Sequence, residues 1–262
     1  MKSTNRDVVQ QAFSQQAALF ENSRMNFSKQ EYLNYTVEKL ALSPTDHVLE
    51  VAAGTCACGR AIAPHAQCVT CLDMTPAMLS VGKTEAEKAR LTNMCFVLGD
   101  AAELPFLESS FDVVLSRLAF HHFPETARPF AEMVRVLRPG GKLVIIDMEA
   151  AAEGLRDTED TLERMRDPSH VRNLSHEEML DLYARHGLNV TCCEGTRIPV
   201  QLQSWMELTK TPRAVQEQLA ACMQEELAGG RKTGFAPFME DGQIKFYQRW
   251  ALVIGERPQE TV

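Results

Sequence analysis

Three groups of residues in the 262-residue sequence have the types and spacing to do chemistry. The first is the run His47 to Gly59 (HVLEVAAGTCACG), in which apolar residues and the acid Glu50 lead into small residues around Gly54. A strand, a tight turn and a helix start in that order let backbone N–H groups and the positive end of a helix approach a ligand. Glu50 then stands beside the turn, where it can meet the ligand's polar groups. The second is Asp73, ~20 residues beyond the turn, a separation at which an acid ending the second strand accepts hydrogen bonds from ribose hydroxyls. Pro76 and a helical run follow it at once, so capping that helix is the competing role. The third is His121-His122, because an imidazole titrates near neutrality and can serve as a general base. Adjacent side chains usually point in different directions, so only one of the two, taken as His121, is expected to face a ligand.

The turn alone leaves three readings open. A dinucleotide fold lacks its Gly-x-Gly-x-x-Gly; a phosphate loop lacks the Lys-Ser/Thr, since Arg60-Ala61 follows Gly59; a nucleoside site needs neither. Cysteines offer a fourth chemistry. Cys56-x-Cys58 and Cys68-x-x-Cys71 resemble zinc spacing, but Cys68 and Cys71 fall on an expected strand, where positions three apart face opposite sides. Vicinal Cys192-Cys193 alternates in the same way, and no metal site is expected. Cys58, near a helix start, is a candidate reactive thiol.

These residues need a scaffold, and the chain can build one. With 45% hydrophobic residues it can bury a full core. A net charge of −8 disfavours nucleic acid and anionic membranes as partners. No apolar run is long enough to span a bilayer, so no stable membrane insertion is expected, and the first residues lack the apolar core of a secretory signal. The expected location is cytoplasmic with reduced thiols; oligomeric state is left open.

Helical periodicity predicts amphipathic helices over Asp7–Phe20 and Ser28–Leu40, forming an N-terminal cap over residues 1–44. Strands are expected at His47–Val51, Ala66–Leu72, Met94–Leu98, Phe111–Ser116 and Lys142–Met148. Helices alternate with them at Ala57–Pro64, Ala77–Arg90 and Glu125–Leu137, the last stopped by Arg138-Pro139-Gly140-Gly141. Apolar strands alternating with helices argue for a parallel sheet covered on both faces. Further on, Glu153–Arg166 reads as a charged, exposed helix, and Ser175–His186 as one opened by the capping box Ser175/Glu178. Leu188–Ile198 and Lys245–Ile254 read as a sixth and a seventh strand. Residues 201–242 between them form a mostly helical insertion. Its Trp205, Met206, Phe235 and Phe238, with Phe13 and Phe20, could line an apolar acceptor pocket or simply pack a core.

Five motifs in register, from about Val48 to Met148, resemble a known family. They are VLEVAAGT, LDMTPAML, GDAAELPF, FDVVLS followed by His121-His122, and LRPGGKL. The resemblance is to class I S-adenosylmethionine-dependent methyltransferases, in the small-molecule branch that includes the quinone-biosynthesis C-methyltransferases. It implies an α/β, Rossmann-like, seven-stranded and mostly parallel sheet with helices on both faces, plus the N-terminal cap and the inserted lid. Residues 45–150 would be the S-adenosylmethionine-binding core, and 151–262 would complete the sheet and line the acceptor site. It also implies roles: Glu50, Ala52 and Gly54 along the methionine part of the cofactor, Asp73 on the ribose, Met74 against the adenine. Asp100 and the Ala101 backbone would meet the adenine edge, and Ser116 and Arg117 would border the transfer crevice. One departure stands out. The family's Gly-x-Gly-x-Gly is here Ala52-Ala53-Gly54-Thr55-Cys56, which puts side-chain atoms where glycine usually gives close approach or positive φ.

The implied reaction transfers a methyl group in line to a small, partly hydrophobic acceptor. Paired acids in an acidic chain suit a cationic sulfonium better than a pyrophosphate. The other readings are a non-catalytic S-adenosylmethionine-binding module and a nicotinamide-dependent reductase, the latter disfavoured by the missing glycine fingerprint.

Overall fold

The computed structural model describes residues 4–21 and 29–259. Helix α1 (Asn5–Gln16) opens on a capping box in which Thr4 and Asp7 satisfy each other's backbone N–H groups, and so begins before the expected Asp7. It passes into a 3-10 turn at Ala17–Leu19. Helix α2 spans Gln30–Leu40; its expected start, Ser28, lies outside the described residues.

The middle of the chain alternates as the apolar pattern requires. Strands β1 (His47–Val51), β2 (Cys68–Asp73), β3 (Met94–Leu98), β4 (Phe111–Arg117) and β5 (Leu137–Met148) form a parallel sheet in the order β3-β2-β1-β4-β5. Helices α3 (Ala57–Ile62), α4 (Pro76–Lys88) and α5 (Ala127–Val136) connect them. Val48 to Val51 are buried, as a strand covered on both faces must be. The expected breaker at 138–141 is the irregular first turn of β5: the register slips opposite Phe111 and Val113, and Gly140 takes φ +78°.

Then come α6 (Arg156–Arg166), α7 (His176–Arg185), β6 (Asn189–Gln201), α8 (Leu202–Leu208), α9 (Arg213–Leu227), β7 (Phe238–Glu240) and β8 (Gln243–Glu256). β8 runs antiparallel between β5 and β6. The sheet thus has eight strands among the described residues, one more than expected. The addition is β7, which folds onto β8 through Asp241-Gly242, both at positive φ. That dipeptide is the preferred hairpin turn.

Two apolar clusters cover the two faces of the sheet, one around Leu49, Phe130 and Tyr183, the other around Val48, Leu115 and Ile254. A third, around Trp205, Met223 and Phe246, ties α8 and α9 to β8 and α6. Helix α6 corrects the sequence reading. It is charged but not exposed: Glu159, Asp160, Glu163 and Arg166 are buried. Their polar ends are met by protein rather than water, Glu159 by Arg249, Asp160 by His170 and Glu163 by Arg166. Among the described residues no helix is long and apolar enough to cross a membrane.

Candidate active site

The carboxyl ends of β1, β2, β4 and β5 open on one cavity of about 900 Å³, roofed by α1 and walled by α8 and β8. Its volume is near the upper end of the ~300–1,000 Å³ of small-molecule sites. Glu50, Ala52, Gly54, Asp73, Met74, Asp100, Ala101, Arg117 and His121 all line it, so nearly every residue singled out in the sequence meets in one place. Ser116 does not. Successive side chains on a strand point to opposite faces, so Arg117 reaches the cavity while Ser116 is buried away from it, its hydroxyl without a hydrogen-bond partner.

The turn after β1 holds three left-handed residues, Ala52 (φ +55°), Gly54 (φ +55°) and Cys56 (φ +58°). The two that replace glycine therefore carry strain, of order 1 kcal/mol each. Cys56 is nonetheless fully buried and turned away from the cavity. A Cβ on Gly82 would come within 2.8 Å of its sulfur, so Cys56 and Gly82 are fitted to one another. At Gly54 a Cβ would meet nothing within 4 Å, which leaves the space in front of the turn open.

The acids are placed by backbone N–H groups. Glu50 Oε2 accepts from Gly59 N–H at 2.8 Å. Burial raises the Glu50 carboxyl to about 7, against the pull of that N–H and of the Arg117 guanidinium. Asp73 accepts from Gly54 N–H and Thr75 N–H, both at 2.8 Å, so it holds the turn and the start of α4 together while lining the cavity. Burial raises its carboxyl too, opposed by those N–H groups. Asp100 accepts from Ala102 N–H at 2.9 Å and faces Arg6 of α1 at 3.5 Å. Helix α1 is further tied down by Gln10, which donates to the Met74 carbonyl, and Asn5, which donates to the His122 carbonyl.

At the other end both histidines line the cavity, which corrects the expectation that only one would. They lie on a 3-10 turn, Phe120–His122, where side chains do not alternate as on a strand. Their ring centroids are 4.1 Å apart. His121 Nδ1 is 2.5 Å from Asp147 Oδ1. Asp147 also accepts from the N–H groups of Ala119, Phe120 and Met148. Burial raises the Asp147 carboxyl, but His121 and these N–H groups outweigh it and hold the group ionised, below its usual value. Burial likewise works against charge on His121, and the Asp147 carboxylate overcomes it, so His121 stands above the ordinary imidazole value. His122 goes the other way: burial and the neighbouring His121 push it down to about 3.

Comparison with known proteins decides among the readings of this site. The family described as "Methyltransferase domain" matches residues 49–145, the stretch that builds β1 to β5. Protein YafE of Escherichia coli is 32% identical over 163 residues, covering 62% of this chain and 79% of its own. The chain belongs to the S-adenosylmethionine-dependent methyltransferases. Methyltransferase YcgJ of Bacillus subtilis is 28% identical over 245 residues, covering 93% of this methyltransferase and 96% of YcgJ. Its crystal structure superposes with a TM-score of 0.80 at 26% identity, over 87% of this chain and 99% of that one. A demethylmenaquinone methyltransferase of Renibacterium salmoninarum is 39% identical over 114 residues, 42% of this chain and 45% of its own.

The residues present fit S-adenosylmethionine. A cationic, nucleoside-bearing ligand would find the acidic side chains of Glu50, Asp73 and Asp100 lining one cavity, with open space before Gly54. The cysteines of this methyltransferase play no comparable part. Burial and the neighbouring Glu50 raise the Cys58 thiol well above its ordinary value, so of its two candidate roles, reactive thiol and small core filler, the buried site favours the filler. Cys68 neighbours Cys95, whereas Cys71 neighbours Cys56 and Glu50, as opposite strand faces dictate.

Sequence reasoning missed Asp147, Asp167, Ser169 and Trp250. Asp147 did leave a signal, an acid near the end of the otherwise apolar run Leu143–Met148. The apolar candidates divide: Phe13 and Phe20 line the cavity, Trp205 both lines it and packs the third cluster, Met206 and Phe235 pack that cluster, and Phe238 stacks on Tyr247.

Proposed function

We propose that this methyltransferase acts on a small, largely apolar aromatic molecule carrying an ionisable hydroxyl, with His121 as the base. The observation that carries this reading is the His121–Asp147 pair, a buried imidazole on the cavity wall backed by an ionised carboxylate. S-adenosylmethionine supplies a methyl group already activated on a cationic sulfur. What the protein adds is position, exclusion of water and a place for a proton.

In this reading Asp73 takes the ribose hydroxyls, Asp100 and the Ala101 backbone the adenine edge, and Met74 the adenine face. Glu50, Ala52, Gly54 and Arg117 border the methionine end. Because Asp147 accepts from His121 Nδ1–H, the Nε2 atom is the one left to receive the acceptor's proton. Phe13, Phe20, Trp205 and Trp250 give that end of the cavity apolar, aromatic walls. The relative named demethylmenaquinone methyltransferase supports an aromatic acceptor. The test is transfer of labelled methyl from S-adenosylmethionine to a panel of hydroxylated aromatics. At least one phenolic compound should be labelled, and His121→Ala should lower turnover at least ~100-fold, the scale of general-base catalysis, with little loss of cofactor binding. Labelling confined to amines or thiols, or equal turnover in the variant, overturns the assignment.

A further inference from the structure

Proposal of a base at His121 leaves its neighbour unexplained. His122 also lines the cavity, and it is not a second copy of the same device. Its Nδ1 lies 3.0 Å from the Ser169 carbonyl and 3.1 Å from the Ser169 hydroxyl. The hydroxyl donates to Asp167 Oδ1, and a carbonyl can only accept, so Nδ1 of His122 carries the hydrogen. Nε2 is then a bare acceptor. Neither His121 Nε2 nor His122 Nε2 bonds to another described residue, and neither is among the sealed, unpartnered polar atoms. Both atoms therefore keep some exposed surface, on rings that line the cavity. The strap Ser169–Val171 fixes this arrangement, since Val171 N–H also donates to the His121 carbonyl at 2.9 Å.

The cavity thus presents two imidazole acceptors side by side, one backed by a carboxylate and one not, with ring centroids 4.1 Å apart. We propose that His122 is a specificity-determining residue, accepting a hydrogen bond from a second hydroxyl next to the one that His121 deprotonates, so that the preferred acceptor is an aromatic vicinal diol. This rests on the methyl-transfer reading above and deepens it.

The environment supports the division. His122 is pushed down to about 3 by burial and by His121, so it stays neutral and keeps its acceptor lone pair when His121 takes up a proton. An alkylamine could also offer two N–H groups to the pair. It arrives as an ammonium ion, however, and must be stripped of water and of a proton before it can react, whereas a neutral diol enters a buried, aromatic-walled site at much lower cost. An acceptor with one hydroxyl leaves the buried His122 Nε2 unpartnered, and an unmade hydrogen bond of this kind weakens binding about tenfold or more.

The test is titration calorimetry on the full chain saturated with S-adenosylhomocysteine, using 2,3-dihydroxynaphthalene and 2-naphthol as probes. The diol should bind about tenfold or more tightly than the mono-ol, and His122→Phe should erase that preference. Binding of S-adenosylhomocysteine reports that each protein is folded and that the methyltransferase reading stands. Loss of that binding in the wild type would sink the broader reading, while retained binding with equal affinity for the two probes, or with affinity for neither, overturns this proposal alone. Should H122F not fold, the imidazole ¹⁵N resonances of the wild type decide. The diol should shift those of both histidines and 2-naphthol those of one; identical responses to the two probes overturn the assignment.

Discussion

Glu50 gives the sharpest prediction, because its environment ties stability, pH and ligand charge to one atom group. The carboxyl is buried and raised from 4.5 to about 7. A group whose folded value is raised contributes its full stability below the unfolded value and loses it as pH rises through the folded one. The ligand-free protein should therefore be most favoured by this group below about pH 4.5 and give that advantage up between there and about pH 7. At about 1.4 kcal/mol per pH unit, the difference corresponds to ~3 kcal/mol by pH 8–9. Glu50→Gln keeps the shape and the acceptor for Gly59 N–H but cannot ionise. It should match the wild type near pH 4 and exceed it at pH 9 by ~3 kcal/mol, on the order of 5–10 °C in melting temperature. A bound sulfonium and ammonium reverse the preference, since opposite charge favours the ionised carboxylate. Calorimetry near pH 7 in buffers of different ionisation enthalpy should show up to about half a proton released on S-adenosylmethionine binding by the wild type, and none by the variant. Parallel stability curves for the two proteins, or equal proton release, would refute the assignment of a buried, cation-facing acid at this position.

Other consequences follow from the same geometry. Asp147→Asn removes the carboxylate that raises His121, so the acid limb of the kcat/KM profile should move to lower pH as the rate falls; an unmoved limb would mean that another group titrates. Ala52→Gly should stabilise the protein by up to ~1 kcal/mol in denaturant unfolding, because glycine takes φ +55° without strain. Cys56→Gly should do the reverse despite the same relief, since it empties a fully buried site fitted against Gly82. Tyr183→Phe should cost ~1–3 kcal/mol, because that hydroxyl accepts from Ile145 N–H and donates to the Val253 carbonyl inside the core.

Much of this site was legible in the sequence for reasons that are local. β1 runs from His47 to Val51 as its apolar pattern requires, and the Ser175/Glu178 capping box forms at the head of α7. Asp73 shows how two candidate roles need not compete, since it steadies α4 through Thr75 and lines the cavity with the same carboxylate. What the sequence hid depends on pairing across the fold. Helix α6 reads as exposed because Glu159, Asp160 and Glu163 are charged, and only the fold brings Arg249, His170 and Arg166 to them. Adjacent side chains such as those of His121 and His122 are expected to point in different directions, and only the 3-10 turn puts both rings on one wall. Ser116 was carried along by a motif whose neighbouring Arg117 owns the cavity face.

In the proposed reading one cofactor lies across the strand tips, held by Asp73 and Asp100, which line one shared cavity. Titration with S-adenosylhomocysteine of the wild type, Asp73→Asn and Asp100→Asn tests it most directly, with NAD as the competing ligand. The wild type should bind S-adenosylhomocysteine and not NAD, and each folded variant should bind it about tenfold or more weakly, the scale set by losing a hydrogen bond to a charged group. Undiminished binding by either variant, or a wild type that takes NAD instead, would contradict it.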